Sequence, residues 1–76
     1  MEDFLIDMIE EIAFSTVQKN ESLWQSGVLD SITIVELAVE IEKKYNIKVP
    51  FDEIIEANFE TVALLIAYIE KKQSNA

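Results

Sequence analysis

The sequence contains no cysteine, no histidine and no arginine among its 76 residues. Without cysteine, the chain forms no disulfides, thiolate nucleophiles or cysteine-ligated zinc or iron–sulfur sites. Without histidine, the usual general base at neutral pH is missing, which excludes a self-contained serine hydrolase. Because a typical domain has roughly 100 residues or more, we assign residues 1–76 to a single domain. Its last residues, about 73–76, are expected to form a flexible tail.

Basic residues are scarce as well: 6 lysines oppose 15 acidic residues, which gives a net charge of −9. A surface this acidic repels nucleic acid and anionic lipid, whereas a basic protein surface complements it. No stretch approaches the roughly 20 apolar residues of a membrane span. The acidic start Met1-Glu2-Asp3 differs from the basic start of a secretory signal. We expect a monomer in the cytoplasm whose partners are basic proteins.

Glycine and proline occur once each, at Gly27 and Pro50, so helices are the default prediction. Apolar residues recur at helical spacing in three segments of the chain. They predict a first helix over residues 2–17, a second over 31–45 and a last one over 61–72.

Two further segments complete the predicted fold. A short helix is expected over residues 52–57, with Asn58 and Phe59 interrupting it. Residues 19–30 form a long loop between the first two helices, and its apolar residues are expected to attach it to the core. These residues are Leu23, Trp24, Val28 and Leu29. The predicted fold class is all-α, a small four-helix bundle with three long helices, one short helix and a long first loop.

The second helix carries two apolar stripes when its residues are placed about 100° apart. The core stripe consists of Ile34, Leu37, Ala38, Ile41 and Tyr45. The outer stripe, on nearly the opposite side, consists of Ile32, Val35 and Val39, with Glu36 and Glu42 at its borders. Either the helix is buried on both sides, or the outer stripe is an exposed docking patch with an acidic rim.

Ser31 opens this helix and has two interpretations. It is a suitable N-cap, as is Asp30 beside it. A hydroxyl at a helix N-terminus also suits a phosphate ester, because the free N–H groups and the positive end of the helix dipole stabilise the anion. In that case another enzyme performs the chemistry, and Asp30 either caps the helix or coordinates the metal ion of that enzyme.

An enzymatic role is a more distant interpretation. Glu36 and Glu40 lie one turn apart and formally resemble an acid–base pair. Carboxylates at this spacing more often form a solvated helix face, and Lys43 and Lys44 lie near enough to compensate Glu40.

Four motifs follow one another along the chain: Asp30-Ser31-Ile32, Val35-Glu36-Leu37, Tyr45-Asn46-Ile47-Lys48-Val49-Pro50, and Thr61-Val62 with Ile66-Ala67-Tyr68-Ile69. In this order they resemble the acyl carrier protein family over nearly the whole chain. The resemblance implies that Ser31 carries 4′-phosphopantetheine, taken from coenzyme A by a phosphopantetheinyl transferase, with Asp30 at the same site. It implies no catalytic residue and no metal site. It also implies contacts to loading and transfer enzymes with basic surfaces, apolar ones through Ile32, Val35 and Val39 and acidic ones through Asp30, Glu36 and Glu42.

Some positions differ from the carriers of fatty acid synthesis. Thr33 stands where those proteins usually have an acid, and Lys43 and Lys44 end the second helix where they are often acidic. The pair Asn58-Phe59 resembles stand-alone carriers of specialised pathways. We expect an acyl or aminoacyl thioester as cargo, in fatty acid, polyketide or specialised biosynthesis. The alternatives are a D-alanyl, aminoacyl or peptidyl carrier of a nonribosomal-type pathway and, in another class, an unmodified helical interaction domain.

Overall fold

The computed structural model describes residues 1–74, and this part of the chain contains helices and loops but no strand. The helices are α1 (Glu2–Ala13), α2 (Thr33–Tyr45), α3 (Glu56–Phe59) and α4 (Val62–Ser74), with a 3₁₀ segment at Phe51–Glu53. This confirms the all-α prediction of three long helices and a short one, with a long loop after the first helix.

The core is built from pairs of aliphatic residues four positions apart. Each long helix contributes one such pair, and residues at this spacing lie on the same helix face. The pairs are Leu5 and Ile9, Leu37 and Ile41, and Leu65 and Ile69, all with 0% exposure. Burial of each side chain contributes about 1.5–3 kcal/mol, which is how a domain without disulfides is stabilised.

Helix α1 ends earlier than the predicted residue 17. Phe14 adopts a left-handed conformation with φ 58°, and its N–H donates to the Glu10 carbonyl at 2.8 Å. Thr16 therefore lies outside the helix, where its hydroxyl donates to the Glu10 carboxylate at 2.6 Å. Val17 is buried, but as part of the following loop. The apolar spacing continues past the point where the backbone leaves the helix.

The long loop is attached to the core and to the chain around α4. Leu23 and Leu29 are buried, as predicted, and Trp24 and Val28 pack against the same cluster. The Leu23 N–H donates to the Glu60 carbonyl at 2.7 Å. Gly27 has φ 81°, a conformation that side-chain-bearing residues rarely adopt. The loop is therefore a fixed part of the domain.

The short helix lies later in the chain than predicted. Asn58 and Phe59 do not interrupt it but lie inside α3. Phe59 is completely buried, with its ring centroid 6.0 Å from that of Tyr68. Ile55 is extended, with φ −129° and ψ 161°, and separates α3 from the 3₁₀ segment. Burial of the Phe59 ring in the core thus accounts for the position of α3.

Helix α4 continues past the predicted end at Lys72 and includes Gln73 and Ser74. The Ser74 hydroxyl donates to the Lys71 carbonyl at 3.1 Å. The other two residues of the predicted tail, Asn75 and Ala76, lie outside the described residues.

Replacing Phe59 by alanine should cost about 3–5 kcal/mol of unfolding free energy, because it leaves a cavity in the core. For a domain this small, that loss removes most of the stability. Phe51→Ala is the matched control: Phe51 is 83% exposed, so the same substitution should change stability by less than about 0.5 kcal/mol. Urea unfolding followed by circular dichroism measures both, and equal midpoints would contradict the burial of Phe59.

Candidate functional site

Residues 31 and 32 form a turn that leads into α2, and the Ile34 N–H donates to the Asp30 carbonyl at 3.0 Å, so the helical hydrogen-bond pattern extends back to Asp30. Asp30 and Thr33 form a reciprocal pair of hydrogen bonds across this turn. Asp30 Oδ1 accepts from the N–H groups of Ile32 (2.9 Å) and Thr33 (2.8 Å), and Thr33 Oγ1 accepts from the Asp30 N–H at 2.8 Å. This is a capping box with threonine in the third position. The Thr33 N–H contributes most to lowering the pKa of Asp30 below its ordinary 3.8, which favours the carboxylate. The side-chain cap predicted at Asp30 or Ser31 is therefore Asp30.

Ser31 is exposed in the turn before α2, two residues ahead of the first residue of the helix. Its hydroxyl takes part in none of the side-chain hydrogen bonds found among residues 1–74, while its neighbours Asp30 and Thr33 bond to each other. Helix capping thus explains Asp30 and leaves Ser31 without a structural role in this part of the chain. The exposed hydroxyl at a helix N-terminus fits the attachment of a phosphate ester.

An apolar groove lies beside this hydroxyl. It has a volume of about 390 Å³. The walls are Trp24, Leu29, Asp30, Ser31, Ile34, Val35, Phe51 and Ile54. The 3₁₀ segment contributes Phe51 to this lining, and α2 contributes Ile34 and Val35. We call this depression the Ser31 groove.

Glu53 holds the 3₁₀ segment in place. Its Oε1 accepts hydrogen bonds from the Tyr68 hydroxyl (2.5 Å) and the Lys72 ammonium (3.0 Å), both on α4. Its carbonyl accepts from Asn58 Nδ2 at 2.9 Å. The bonds from Tyr68 and then Lys72 lower the pKa of Glu53, while burial and the Glu53 carboxylate raise the pKa of Tyr68. Local sequence patterns do not reveal this role of Glu53, because its partners are 15 and 19 residues away.

The two stripes of α2 have different environments. Ile34, Leu37, Ala38 and Ile41 of the core stripe are buried, and Tyr45 is partly buried. In the outer stripe Ile32 is 68%, Val35 41% and Val39 40% exposed. The alternative in which the helix is buried on both sides is therefore wrong. The exposed outer stripe is available to a partner.

The three acidic residues of α2 differ in their exposure and in their contacts. Glu36 is exposed beside the outer stripe. Glu42 is half-buried, and its Oε2 accepts from the Val49 N–H at 2.7 Å, so it also fixes the chain after α2. Glu40 Oε2 lies 3.6 Å from Lys43 Nζ. This ion pair gives Glu40 an ordinary surface role and speaks against the acid–base interpretation.

The family model described as "Phosphopantetheine attachment site" matches residues 4–69. The chain belongs to the phosphopantetheine-binding carrier family. D-alanyl carrier proteins of Streptococcus pyogenes serotypes M5 (strain Manfredo) and M1 are each 35% identical to this carrier over 75 residues, covering 96% of it and 95% of their own chains. A chain of a crystal structure described as that of an FAD-dependent dehydrogenase is 35% identical, with a TM-score of 0.73, covering 91% of this carrier and 97% of that chain.

Family membership establishes the kind of protein and its cofactor. This carrier bears its cargo on a covalently attached 4′-phosphopantetheine arm. Within the described part of the carrier, no helix is long and apolar enough to cross a membrane. Residues 1–74 also contain no cluster of acidic side chains that could hold a metal ion.

Replacing Glu53 by glutamine should lower stability at neutral pH and have less effect in acid. The pKa of Glu53 is lowered from 4.5 in the folded protein. Its ionised form therefore stabilises the fold above that value, and this contribution disappears as the pH falls through the lowered pKa. Urea unfolding of both proteins from about pH 7 to about pH 3 measures the difference. Glu70→Gln, on the exposed face of α4, is the charge-matched control, and the same pH-dependent difference there would contradict the role of Glu53.

Proposed function

We propose that Ser31 is the residue to which the phosphopantetheine arm is attached. The supporting observation is its exposed hydroxyl at the start of α2, which has no capping role because Asp30 caps the helix. The Ser31 oxygen holds the arm through a phosphate ester, and the first N–H groups of α2 favour the negative charge of that phosphate. When bound, the arm supplies a terminal thiol that carries cargo as a thioester.

Asp30 contributes charge to the same site. Its Oδ1 is used in the capping box, whereas Oδ2 takes part in none of the hydrogen bonds among the described residues. The lowered pKa of Asp30 favours the anion. We propose that Oδ2 coordinates the metal ion of the phosphopantetheinyl transferase while that enzyme is bound. Asp30 therefore has two compatible roles, one through each oxygen.

The proposed cargo is an aminoacyl group, with a D-alanyl group as the first candidate. The D-alanyl carrier proteins at 35% identity over nearly their full length support this choice. The protein itself performs no catalysis and is loaded by other enzymes. The lack of histidine and cysteine supports this division of work, because no native side chain competes with the imported thiol. The lack of cysteine also supports a cytoplasmic location.

The outer stripe of α2 is the proposed contact for those enzymes. Ile32, Val35 and Val39 provide exposed apolar surface, and Glu36 and Glu42 provide negative charge beside it. Basic surfaces on the transferase and on loading and transfer enzymes complement this arrangement. Electrostatic attraction speeds such encounters, and salt weakens them.

A second candidate function differs from the first in the enzyme that acts on the cargo. The similar chain in the crystal structure described as an FAD-dependent dehydrogenase supports a flavin enzyme as partner. In that case the carried group is oxidised while it is held on the arm. The intact mass of the protein purified from its host distinguishes the two candidates: a D-alanyl adduct supports the first, and an adduct lacking hydrogen relative to its parent amino acid supports the second.

Incubation with coenzyme A and a promiscuous phosphopantetheinyl transferase should increase the intact mass by one phosphopantetheine group. Ser31→Ala should abolish the increase, because it removes the attacking hydroxyl. Ser26→Ala, in the loop before α2, is the matched control and should be modified normally. If the wild type gains no mass, or the Ser31→Ala variant still gains it, the attachment site is wrong and the unmodified interaction domain becomes the better interpretation.

Val35→Glu should slow the modification about tenfold or more at low carrier concentration, because it places a charge in the apolar contact. The helical circular dichroism should remain, since Val35 is 41% exposed. Leu64→Glu is the control, because Leu64 is 40% exposed on α4, away from the outer stripe. Equal rates for the two variants would contradict docking on the outer stripe.

A further inference from the structure

The 3₁₀ segment Phe51–Glu53 lines an apolar groove but is not itself held by apolar burial. None of its three residues is buried, and the Phe51 ring is 83% exposed. Its backbone hydrogen bonds are local, as when the Glu53 N–H donates to the Pro50 carbonyl at 2.9 Å. Another interaction must therefore hold Phe51 in the lining of the Ser31 groove.

The chain is anchored on both sides of this segment. Before it, Val49 is buried, and its N–H donates to the Glu42 carboxylate at 2.7 Å. After it, Ile54 packs against the core. Residues 50–53 lie between these two anchors, and φ of Pro50 is fixed at −62°. Only contacts made between the anchors can decide where the Phe51 ring lies.

Glu53 makes those contacts. Its carboxylate accepts from the Tyr68 hydroxyl and the Lys72 ammonium of α4, and its carbonyl accepts from the Asn58 amide of α3. Hydrogen bonds to an ionised acceptor are stronger than those between neutral groups. One residue thus connects the exposed segment to two helices of the bundle.

Neighbouring charges favour this arrangement. The charged side chains that act on Glu53 or Tyr68 are Glu42, Asp52, Lys71 and Lys72. The bond from Tyr68, followed by the bond and the charges of the lysines, lowers the pKa of Glu53. Burial, the Glu53 carboxylate and the other two acidic residues raise the pKa of Tyr68, so its hydroxyl remains a donor. Glu56 of α3 accepts from Gln25 Nε2 instead, at 3.4 Å.

We propose that Glu53 is a positioning residue that sets the shape of the Ser31 groove. Its ionised carboxylate, held on α4, keeps the 3₁₀ segment in place, so that Phe51 remains in the groove lining. When this contact is lost, the segment stays attached at both anchors, but the Phe51 ring leaves the groove. An effect on the modification of Ser31 rests on the proposed attachment of the arm there, whereas the position of Phe51 does not.

Trp24 provides a direct readout, because it is the single tryptophan of the chain and lines the same groove as Phe51. Glu53→Gln should move the Trp24 emission to longer wavelength at neutral pH, since water reaches the indole when Phe51 leaves. The helical circular dichroism should remain. In the wild type, the same shift should appear as the pH falls from about 7 to about 3 through the lowered pKa of Glu53, and Glu53→Gln should lack this step.

Two variants on α4 separate the contact from a general effect of charge. Tyr68→Phe removes one hydrogen bond to Glu53 but keeps the ring that packs 6.0 Å from that of Phe59, so it should reproduce part of the emission shift. Glu70→Gln removes the same charge as Glu53→Gln from the exposed face of α4 and should leave the emission unchanged.

The kinetics of modification test whether Glu53 acts through Phe51. With coenzyme A and a transferase, Glu53→Gln should raise the KM for the carrier about threefold and leave kcat nearly unchanged, because the surface beside Ser31 is no longer pre-arranged for binding. Phe51→Ala should raise the KM by a similar factor. The double variant should be no worse than either single variant, since both changes remove the same contribution.

Several results would overturn the proposal. These are an unchanged Trp24 emission in Glu53→Gln, the same pH-dependent step in that variant and the wild type, or additive effects of Glu53→Gln and Phe51→Ala on the KM. Loss of circular dichroism together with the emission shift would make Glu53 a residue that stabilises the whole fold instead.

The arm attachment is judged separately on the same proteins. Normal mass gain together with an unchanged Trp24 emission rejects the positioning role of Glu53 and keeps the carrier function. If the wild type gains no mass, the attachment at Ser31 is rejected, and the emission of Trp24 still decides whether Glu53 holds Phe51 in the groove.

Discussion

The complete burial of Leu37 and Ile41 fixes how α2 is rotated about its own axis. Because the core stripe and the outer stripe lie nearly opposite each other, packing the first against α1 and into the shared core turns the second outward. Exposure of Ile32, Val35 and Val39 is thus a direct consequence of how the core is packed. These exposed side chains add no burial energy to the isolated chain. Their burial would stabilise a complex in which a partner covers them.

The position of Ser31 depends on the residues around it. Asp30 and Thr33 bond to each other's backbone N–H groups and fix where α2 begins. Ser31 lies between them, so its backbone is held while its hydroxyl takes part in none of the side-chain hydrogen bonds among residues 1–74. The 3₁₀ segment, whose Phe51 lines the Ser31 groove, is held by Glu53 through hydrogen bonds to α4. Ser31, the proposed attachment residue, is therefore placed by capping and ionic interactions in which it takes no part itself.

Much of the fold and the two stripes could be predicted because apolar spacing reports directly on which side of a helix faces the core. The spacing carries less information about where a helix ends. Apolar residues continue to Val17, but the backbone leaves the helix at Phe14. Phe59 was expected to break the short helix, because a local pattern does not show that its ring fills the core. The contacts of Glu42 and Glu53 join residues 7 to 19 positions apart, which sequence spacing alone does not predict. Local spacing predicted a cap at Asp30 or Ser31, but only the structure shows that Thr33 completes it as a reciprocal pair with Asp30.

Helices α1 and α2 are antiparallel, because Phe4 near the start of α1 packs edge-on against Tyr45 at the end of α2. This arrangement determines which residues share one end of the bundle. It brings the end of α1, with Phe14, to the same end of the bundle as Ser31 and Ile32. With the arm attached to Ser31, as proposed above, an enzyme bound at this end would lie close to it. Negative charge beside the outer stripe would attract the basic partners proposed above, and screening by salt would keep such contacts weak enough for release. A protein that delivers cargo to several enzymes in turn needs this combination of attraction and release.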